Sequence, residues 1–404
     1  MSITKEDLLN SEFLKQFKDS KEFSTFMEQM YVRGVEKILE AELDNHLGYE
    51  KYSSSGKNSG NSRNGTTSKK LKGEYGEVDI DVPRDREGSF TPVAVPKRSS
   101  LAEGMENLVI SLYAKGMSVS DIEEQLREIY KFNLSQSAIS NITSKVHQDI
   151  VEWQSRPLDA VYFIVWLDGI VFKVRQNGKV INKTIYLAVG MNREGYKEVI
   201  GMWLGESESA SFWVGALTDL KARGVEDILI TCTDNLNGFT HGIRSVFPQA
   251  ATQICVVHQI RNACRYVVWK DKKAFTAALK AIYNAPGKDT ALHELEQFEQ
   301  TWGHKYPHAT KSWRANWEEL TVFFDYPLEI RKIIYTTNVI ENLNGKIRKY
   351  TKTKGSFPDD QAVKKAVYLA LREVTRKWTQ PHQNWGLIIN QFSTILMKGV
   401  GFNL

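Results

Sequence analysis

Residues 161–174, VYFIVWLDGIVFKV, place one carboxylate inside an apolar run: Ile164, Val165, Trp166 and Leu167 precede Asp168, and Ile170, Val171 and Phe172 follow it. β-Branched and aromatic residues dominate, so the stretch reads as a strand buried on both faces. TIYLAVGM (184–191) and YKEVIGMWL (196–204) are two further strand-like runs, set off by turns that hold Asn177-Gly178 and Asn192 to Gly195. SESASFWVGALTDLKARG (207–224) then reads as a helix, DILITCTD (227–234) as a buried strand, NGFTHGIRSVF (237–247) as a helix and ATQICVVH (251–258) as a strand. Three consecutive strands followed by strand-helix units open a mixed sheet covered by helices, an α/β core.

Residues 265–330 hold helical patterns rich in Trp, Phe and Tyr and no strand-like run, which makes them an all-α insertion into the core. TTNVIENLNGKIRKYTKTKG (336–355) starts on a Thr cap and forms a helix, with two more helices to the carboxyl end. At the other end, residues 1 to about 48 read as one helix, with Phe23, Met27, Met30, Ile38 and Leu39 near helical spacing. Such a helix needs a partner surface, either the body of the protein or a second copy. Residues 51–72 are dominated by Ser, Gly, Asn and Thr and carry Lys51, Lys57, Arg63, Lys69, Lys70 and Lys72 without an acid. They read as a mobile segment, either a solvated linker or a basic arm along a phosphate backbone. EVDIDV and the later VAV suggest two short strands between Tyr75 and Pro96. Three helices follow: one with Met105, Leu108 and Leu112 on a face, one capped by Ser118 with Val119, Ile122, Leu126 and Ile129, and one from about Ser135 with Ile139, Ile142 and Val146 inward. The last shows Gln136, Ser137, Ser140, Asn141, Ser144 and Lys145 on its other face, which fits a helix-turn-helix as well as a small bundle with no DNA role. The expected divisions are 1–50 helical, 51–98 basic arm and short strands, 99–150 helix-turn-helix, 151–264 first part of the core, 265–330 helical insertion, 331–380 second part of the core and 381–404 helical tail.

A chain of 404 residues suggests two to four domains at about 100 to 200 residues each. With 42% apolar and 25% charged residues it is neither disordered nor collagen-like. The amino terminus lacks the apolar stretch of a signal peptide, and no apolar run reaches the roughly 18 residues that span a bilayer. A cytoplasmic protein without membrane contact is the expectation. Cys232, Cys255 and Cys264 are too few and odd in number for a disulfide framework and are read as reduced. The net charge is only +5, yet residues 51–72 and 342–354 together carry eleven positive charges and no acid, so the rest of the chain is net acidic.

An ionised Asp168 in its apolar surroundings is costly to bury unless it is paired. Asp234 ends ILITCTD at the carboxyl edge of the sheet, where open α/β sheets present functional groups. Two such aspartates invite a divalent metal; capping of the next helix, with Asn235 and Gly238 at hand for Asp234, is the plainer alternative. Glu341 is the third candidate. Asn338, Gly345 and Arg348 share its helix face, and Lys346, Arg348, Lys349, Lys352 and Lys354 follow it. A carboxylate beside a cationic track suits a metal-dependent phosphodiester enzyme, and an ordinary surface Glu fits the residues equally.

The series Asp168, Asp234, Glu341 on a three-strand, helix, strand, helix, strand order resembles the ribonuclease-H-like DDE transposases. WLDG (166–169), CTDN (232–235), CVVH (255–258) and YTTNVIENLNGKIRK (335–349) look like the mutator-type (MULE-like) transposases of bacterial insertion sequences. EAELDNHLGYEKYSSSGKNSGNSRNG (40–65) does too, so the resemblance covers essentially the whole chain. It implies that Asp168, Asp234 and Glu341 bind two Mg2+ ions, with Mn2+ able to substitute. It also implies metal-dependent cleavage at the terminal inverted repeats and strand transfer by the exposed 3′ hydroxyl, with no covalent protein intermediate. Implied as well are a homodimer joined through the amino-terminal helix and a bacterial, nucleoid-associated location. Cys255 and His258 match the family's C-x-x-H; Cys255 is expected at a strand end, with His258 and Asn338 near the site. Zinc at that pair is the alternative, but no second pair of ligands is evident. The expected DNA contacts are Lys57, Arg63, Lys69, Lys70 and Lys145 on phosphates, Gln136, Ser140 and Asn141 on bases, and Lys346, Arg348 and Lys349 at the site. Trp313 and Trp317 are either core or a stack for a distorted base. A ribonuclease-H-like nuclease or resolvase without strand transfer, and a non-catalytic DNA-binding regulator, are the rivals.

Overall fold

The structure, a computed structural model, describes residues 11–54, 60–206, 209–234, 238–335 and 337–399. They form two compact units: Met1–Tyr113 with Met117–Thr143, and Ala114–Gly116 with Ser144–Leu404.

The first unit opens on α1 (Ser11–Leu14) and α2 (Ser20–Leu47), where the sequence suggests one helix. The break has a local cause: the Asp19 carboxylate accepts from the Lys21 and Glu22 amides and so starts α2 afresh. Gly48, with φ of 78°, closes α2 in the left-handed region. β1 (Arg63–Gly73) and β2 (Gly76–Asp85) then pair antiparallel, Gly73 opposite Gly76. Residues 63–72 are therefore a strand and not a mobile arm. Their own sequence is almost wholly polar, and what orders them is the neighbour: Leu71, Val78 and Ile80 close a small core with Leu39 of α2 and Val95. The expected strand at VAV does not form, because the Val93 and Ala94 amides donate to the Glu42 carboxylate instead of to a ladder. α3 (Met105–Ala114), α4 (Val119–Tyr130) and α5 (Gln136–Ser144) follow. Ser118 and Asp121 make a reciprocal capping box for α4. α5 ends at Ser144, so Val146 and Lys145 belong to the next helix.

The second unit is built on a five-stranded sheet of order β5-β4-β3-β6-β7. β3 (Val161–Gln176), β4 (Lys179–Met191) and β5 (Lys197–Gly205) are antiparallel, while β6 (Asp227–Thr233) runs parallel to β3 and β7 (Ala251–Ile254) parallel to β6. Asn177 and Gly178 both take positive φ, the two-residue turn that matches the twist of a hairpin. Two layers of helix cover the sheet. α7 (Ala210–Ala222) and α8 (Phe239–Val246), after α6 (Val146–Ser155), bury Trp213 and Phe239, stacked at 5.0 Å, against Tyr162, Val165 and Leu167. Phe163 meets Trp385 and Phe392 edge-on.

Beyond β7 the chain is helical: α9 (Val256–Cys264), α10 (Trp269–Tyr283), α11 (Lys288–Trp302), α12 (Pro307–Ala315), α13 (Trp317–Leu320), a 3-10 turn at Val322–Asp325 and α14 (Leu328–Ile334). Buried Gln253 of β7 ties this region to the sheet, donating to the Leu320 carbonyl at 3.0 Å and accepting from the Phe323 amide at 2.7 Å. α15 (Asn338–Thr351), α16 (Asp360–Thr375) and α17 (Trp385–Gly399) complete the chain. Thr337 stands at the N-cap position of α15 but makes no capping bond; its hydroxyl lies 3.2 Å from Cys255 Sγ. Among the described residues no helix is long and apolar enough to cross a membrane, and the three cysteines are free thiols.

Packing of the sheet is tight where β4 crosses β3. A Cβ at Gly190 would lie 2.5 Å from the ring of Tyr162, which is fully buried and held by its hydroxyl's 2.6 Å hydrogen bond to Glu198. Gly190→Ala is therefore expected to lower the unfolding free energy by about 2 kcal/mol in denaturant titration, the usual scale of overpacking.

Candidate active site

The register of β3 on β6 determines the floor of the site. Trp166 pairs with Cys232 and β6 ends one residue later at Thr233, so Asp234 directly after β6 and Asp168 on β3 open on the same cavity. Val165 and Leu167 belong to the core under α7 and α8, and side chains alternate along a strand. Asp168 consequently faces the opposite side, where Asn344 of α15 donates to its Oδ2 at 2.6 Å and the Gly169 amide to its Oδ1 at 2.7 Å.

Two helices wall the floor, each through one stripe at helical spacing. α9 contributes His258, Arg261 and Asn262, and Arg265 just beyond its end; α15 contributes Glu341, Asn344 and Arg348. With both aspartates and Gly169 these residues line a cavity of about 480 Å³. Arg261 grips Glu341 in a fork, Nη1 to Oε1 at 2.7 Å and Nη2 to Oε2 at 3.2 Å. His258 bridges two acids: Nε2 lies 3.1 Å from Glu341 Oε1, and Nδ1 makes a close ion pair with Asp234, at an angle outside hydrogen-bonding geometry. The Asp234 carboxylate beside it, and then Cys255, push the imidazole up to about 10, so the ring is a cation at neutral pH. Burial raises the Cys255 thiol, but contact with His258 and Thr337 outweighs it, and the group ends below its ordinary value.

The stitching behind this wall lets the helical region leave and rejoin the sheet at one place. The Val256 amide donates to the Tyr335 carbonyl at 3.2 Å, and Cys232 Sγ lies 3.5 Å from the Ile334 carbonyl. Two acidic strands, a cationic helix stripe and a returning helix with a third carboxylate thus share one cavity. The family model for transposases of the Mutator family matches residues 2–381. The chain belongs to that family.

Its relatives agree over most of their length. A probable transposase for insertion sequence element ISRM3-like, from Sinorhizobium fredii, is 40% identical over 89% of this chain and 90% of its own. The transposase for insertion sequence element ISRM3 of Rhizobium meliloti is likewise 40% identical over 89% and 90% of the two chains. The Drosophila P element transposase strand transfer complex aligns with 75% of this chain and 88% of that chain at 11% identity and a TM-score of 0.30, too loose a likeness to argue from.

Within this Mutator-family chain, Asp168, Asp234, Glu341, His258 and Arg348 of the sequence candidates come together at the cavity, and buried Cys255 lies behind His258 as the N-cap of α9. Asn338 is exposed at the start of α15 and does not line the cavity; Asn344 does. Lys346 and Lys349 are exposed on other faces of α15. Gln136, Ser140 and Asn141 lie on the exposed face of α5, where Gln136 donates to Glu123, and Lys145 is exposed at the N-cap of α6. Arg63 pairs with Asp44 and stacks on Tyr49, Lys69 Nζ donates to the Pro96 carbonyl, and Lys70 pairs with Glu77. Lys57 lies outside the described residues. Trp313 and Trp317, 2% and 8% exposed, are core and present no face to a base, which corrects the stacking expectation. Arg261, Asn262, Arg265 and Asn344 are the site residues that sequence reading missed; the spacing of three, four and seven from His258 is the signal that carries the first three.

The donor set fits hard divalent cations: three carboxylates share one cavity, and Asn344 Oδ1 is buried there with no hydrogen-bond partner. Among the described residues no three such side chains converge on a single point as they stand, because His258 and Arg261 sit on the acids that a metal would bind. Asn344 is the support for Asp168, and Asn344→Ala is expected to lower stability by about 2 kcal/mol, the scale of a hydrogen bond to a charged group, in equilibrium unfolding by denaturant.

Proposed function

We propose that the chain is a DDE-type DNA transposase that binds the terminal inverted repeats of its insertion sequence, cuts a strand at each end and joins the exposed 3′ hydroxyl to target DNA. The observation that carries this is the convergence of Asp168, Asp234 and Glu341 on one cavity that Arg261, Arg265 and Arg348 also line. A sheet of three antiparallel strands continued by two parallel ones supports a ribonuclease-H-like core. Asp168, Asp234 and Glu341 would hold two Mg2+ ions, with Mn2+ able to substitute, and such ions supply activation of the attacking oxygen and neutralisation of charge on the phosphate.

The chain's own groups do the rest. The guanidinium groups of Arg261, Arg265 and Arg348 grip phosphate oxygens, which suits planar forks better than ammonium groups. Asn344 and the Gly169 amide fix the Asp168 carboxylate. α3, α4 and α5 act as the helix-turn-helix, with Gln136, Ser140 and Asn141 toward bases and Lys145 toward phosphate. Lys69, Lys70 and Arg63 on β1, and Lys346 and Lys349 on α15, contact the DNA backbone. Phe23, Met27 and Met30 are exposed at four- and three-residue spacing on α2, which supports a homodimer formed through that helix. The protein would work in the bacterial cytoplasm at the nucleoid.

Two measurements test this reading. Asp168→Asn should bind end-containing DNA as the parent does and lose cleavage in Mg2+ by roughly a thousandfold or more; normal nicking by that variant would refute the assignment. For the hairpin, Lys69→Ala with Lys70→Ala should reduce the slope of log affinity against log salt by roughly two, near 0.9 for each phosphate no longer neutralised.

A further inference from the structure

The cationic stripe of α9 runs directly into an exposed aromatic stretch. Arg265 lines the cavity, and Tyr266, Val268 and Trp269 follow it at 62%, 50% and 87% exposure, while Val267 between them is buried. Single exposed apolar side chains are ordinary, but three within four residues, two of them aromatic, are an unusual concentration. Packing does not account for them: a Trp left in water forgoes the large area that the buried Trp213 and Trp313 gain. Tyr266 leans on His308 with ring centroids 5.9 Å apart, and no ring pairing among the described residues involves Trp269. The surroundings are positive. Arg265 precedes the stretch, exposed Lys270 and Lys273 follow in the first two turns of α10, and the one acid between them, Asp271, is paired with Lys305. Four residues of chain from Arg265 reach at most about 14 Å, so Trp269 stands within a few nucleotides of the cavity.

Aromatic faces interleaved with cations are the surface that single-stranded nucleic acid uses, bases on rings and phosphates on the positive charges. We propose that Tyr266 and Trp269 form a stacking platform for an unpaired base of the DNA held at the cavity, with Arg265, Lys270 and Lys273 holding its phosphates. This rests on the proposed action on DNA. The site takes a base that is out of the duplex, since a paired base offers no free face. A strand frayed or distorted beside the cleavage point is held there.

The test uses the full chain with two fluorescein-labelled probes, a twenty-nucleotide oligothymidylate and a twenty-base-pair duplex, at fixed salt. Trp269→Ala should weaken oligothymidylate binding about tenfold or more and leave duplex binding within about twofold, with Trp269→Phe close to the parent on both. Replacing thymines by 5-iodouracil and irradiating the parent complex should cross-link Trp269 or Tyr266, as read by peptide mapping. The platform is overturned if Trp269→Ala binds oligothymidylate as the parent does, if both probes lose equally, or if the cross-link maps elsewhere. Failure of the parent to bind either probe sinks the DNA reading itself, whereas intact duplex binding with no effect of Trp269 sinks only the platform.

Discussion

Two carboxylates, Asp168 on β3 and Asp234 directly after the neighbouring β6, open on one cavity and define the second unit. Strands lie about 5 Å apart, and two unit charges at that distance repel by about 3 kcal/mol at the effective dielectric of a protein surface. Asp168 and Asp234 can stand together only if positive charge or donors are brought to them, and the fold does this from two directions. α9 leaves β7 immediately after Cys255 and places His258 on Asp234; α15 returns after the helical region and places Asn344 on Asp168. Glu341 arrives on the same returning helix and is held by the cations of α9. The helical region between them can be large because its two ends meet, Val256 on Tyr335 and Cys255 on Thr337.

How much of this is legible in the sequence depends on whether each segment carries its own signal. β3, β4 and β5 do, because their apolar runs and the Asn177-Gly178 turn require no partner to be read. Asp168 stands out for the same reason: a charge inside such a run has few explanations. β1 fails the test, since RNGTTSKK looks like a linker until β2 and Leu39 supply its other side. The α9 stripe is lost differently. Reading CVVH as the end of a strand hides the helix that starts within it, and Arg261 and Arg265 become visible only when His258 is counted as helical. In the helical region every third or fourth residue is apolar or aromatic, so sequence alone does not separate the buried Trp313 from the exposed Trp269.

Runs of like charge in sequence are not the same as available charge in space. Of the basic candidates on α15, helical phase gives Arg348 to the cavity and turns Lys346 and Lys349 away from it. On β1, Arg63 and Lys70 are paired with Asp44 and Glu77, and surface pairs of this kind are worth at most about 1 kcal/mol. A phosphate backbone that offers several contacts at once can displace such partners, so the pairing is compatible with the DNA contact proposed for the strand. The modest net charge conceals both effects.

The atoms left without hydrogen-bond partners show what the arrangement costs. Asn344 Oδ1 is buried without a hydrogen-bond partner, Asp234 Oδ1 and His258 Nδ1 meet only as an ion pair outside hydrogen-bonding geometry, and all three residues line the one cavity. A buried polar atom left without a partner, as Asn344 Oδ1 is, costs about 1–3 kcal/mol, which a loop could not sustain without rearranging. Here they are carried on a strand end and two helices whose other faces are locked into the core: Ile230 and Cys232 in β6, Val256 and Ala263 in α9, Ile340 and Ile347 in α15. The local instability is therefore confined to polar atoms that can relax only toward the cavity. A ligand that satisfies Asn344 Oδ1 finds that group already in place, whereas one that takes Asp234 or Glu341 has first to displace His258 and Arg261.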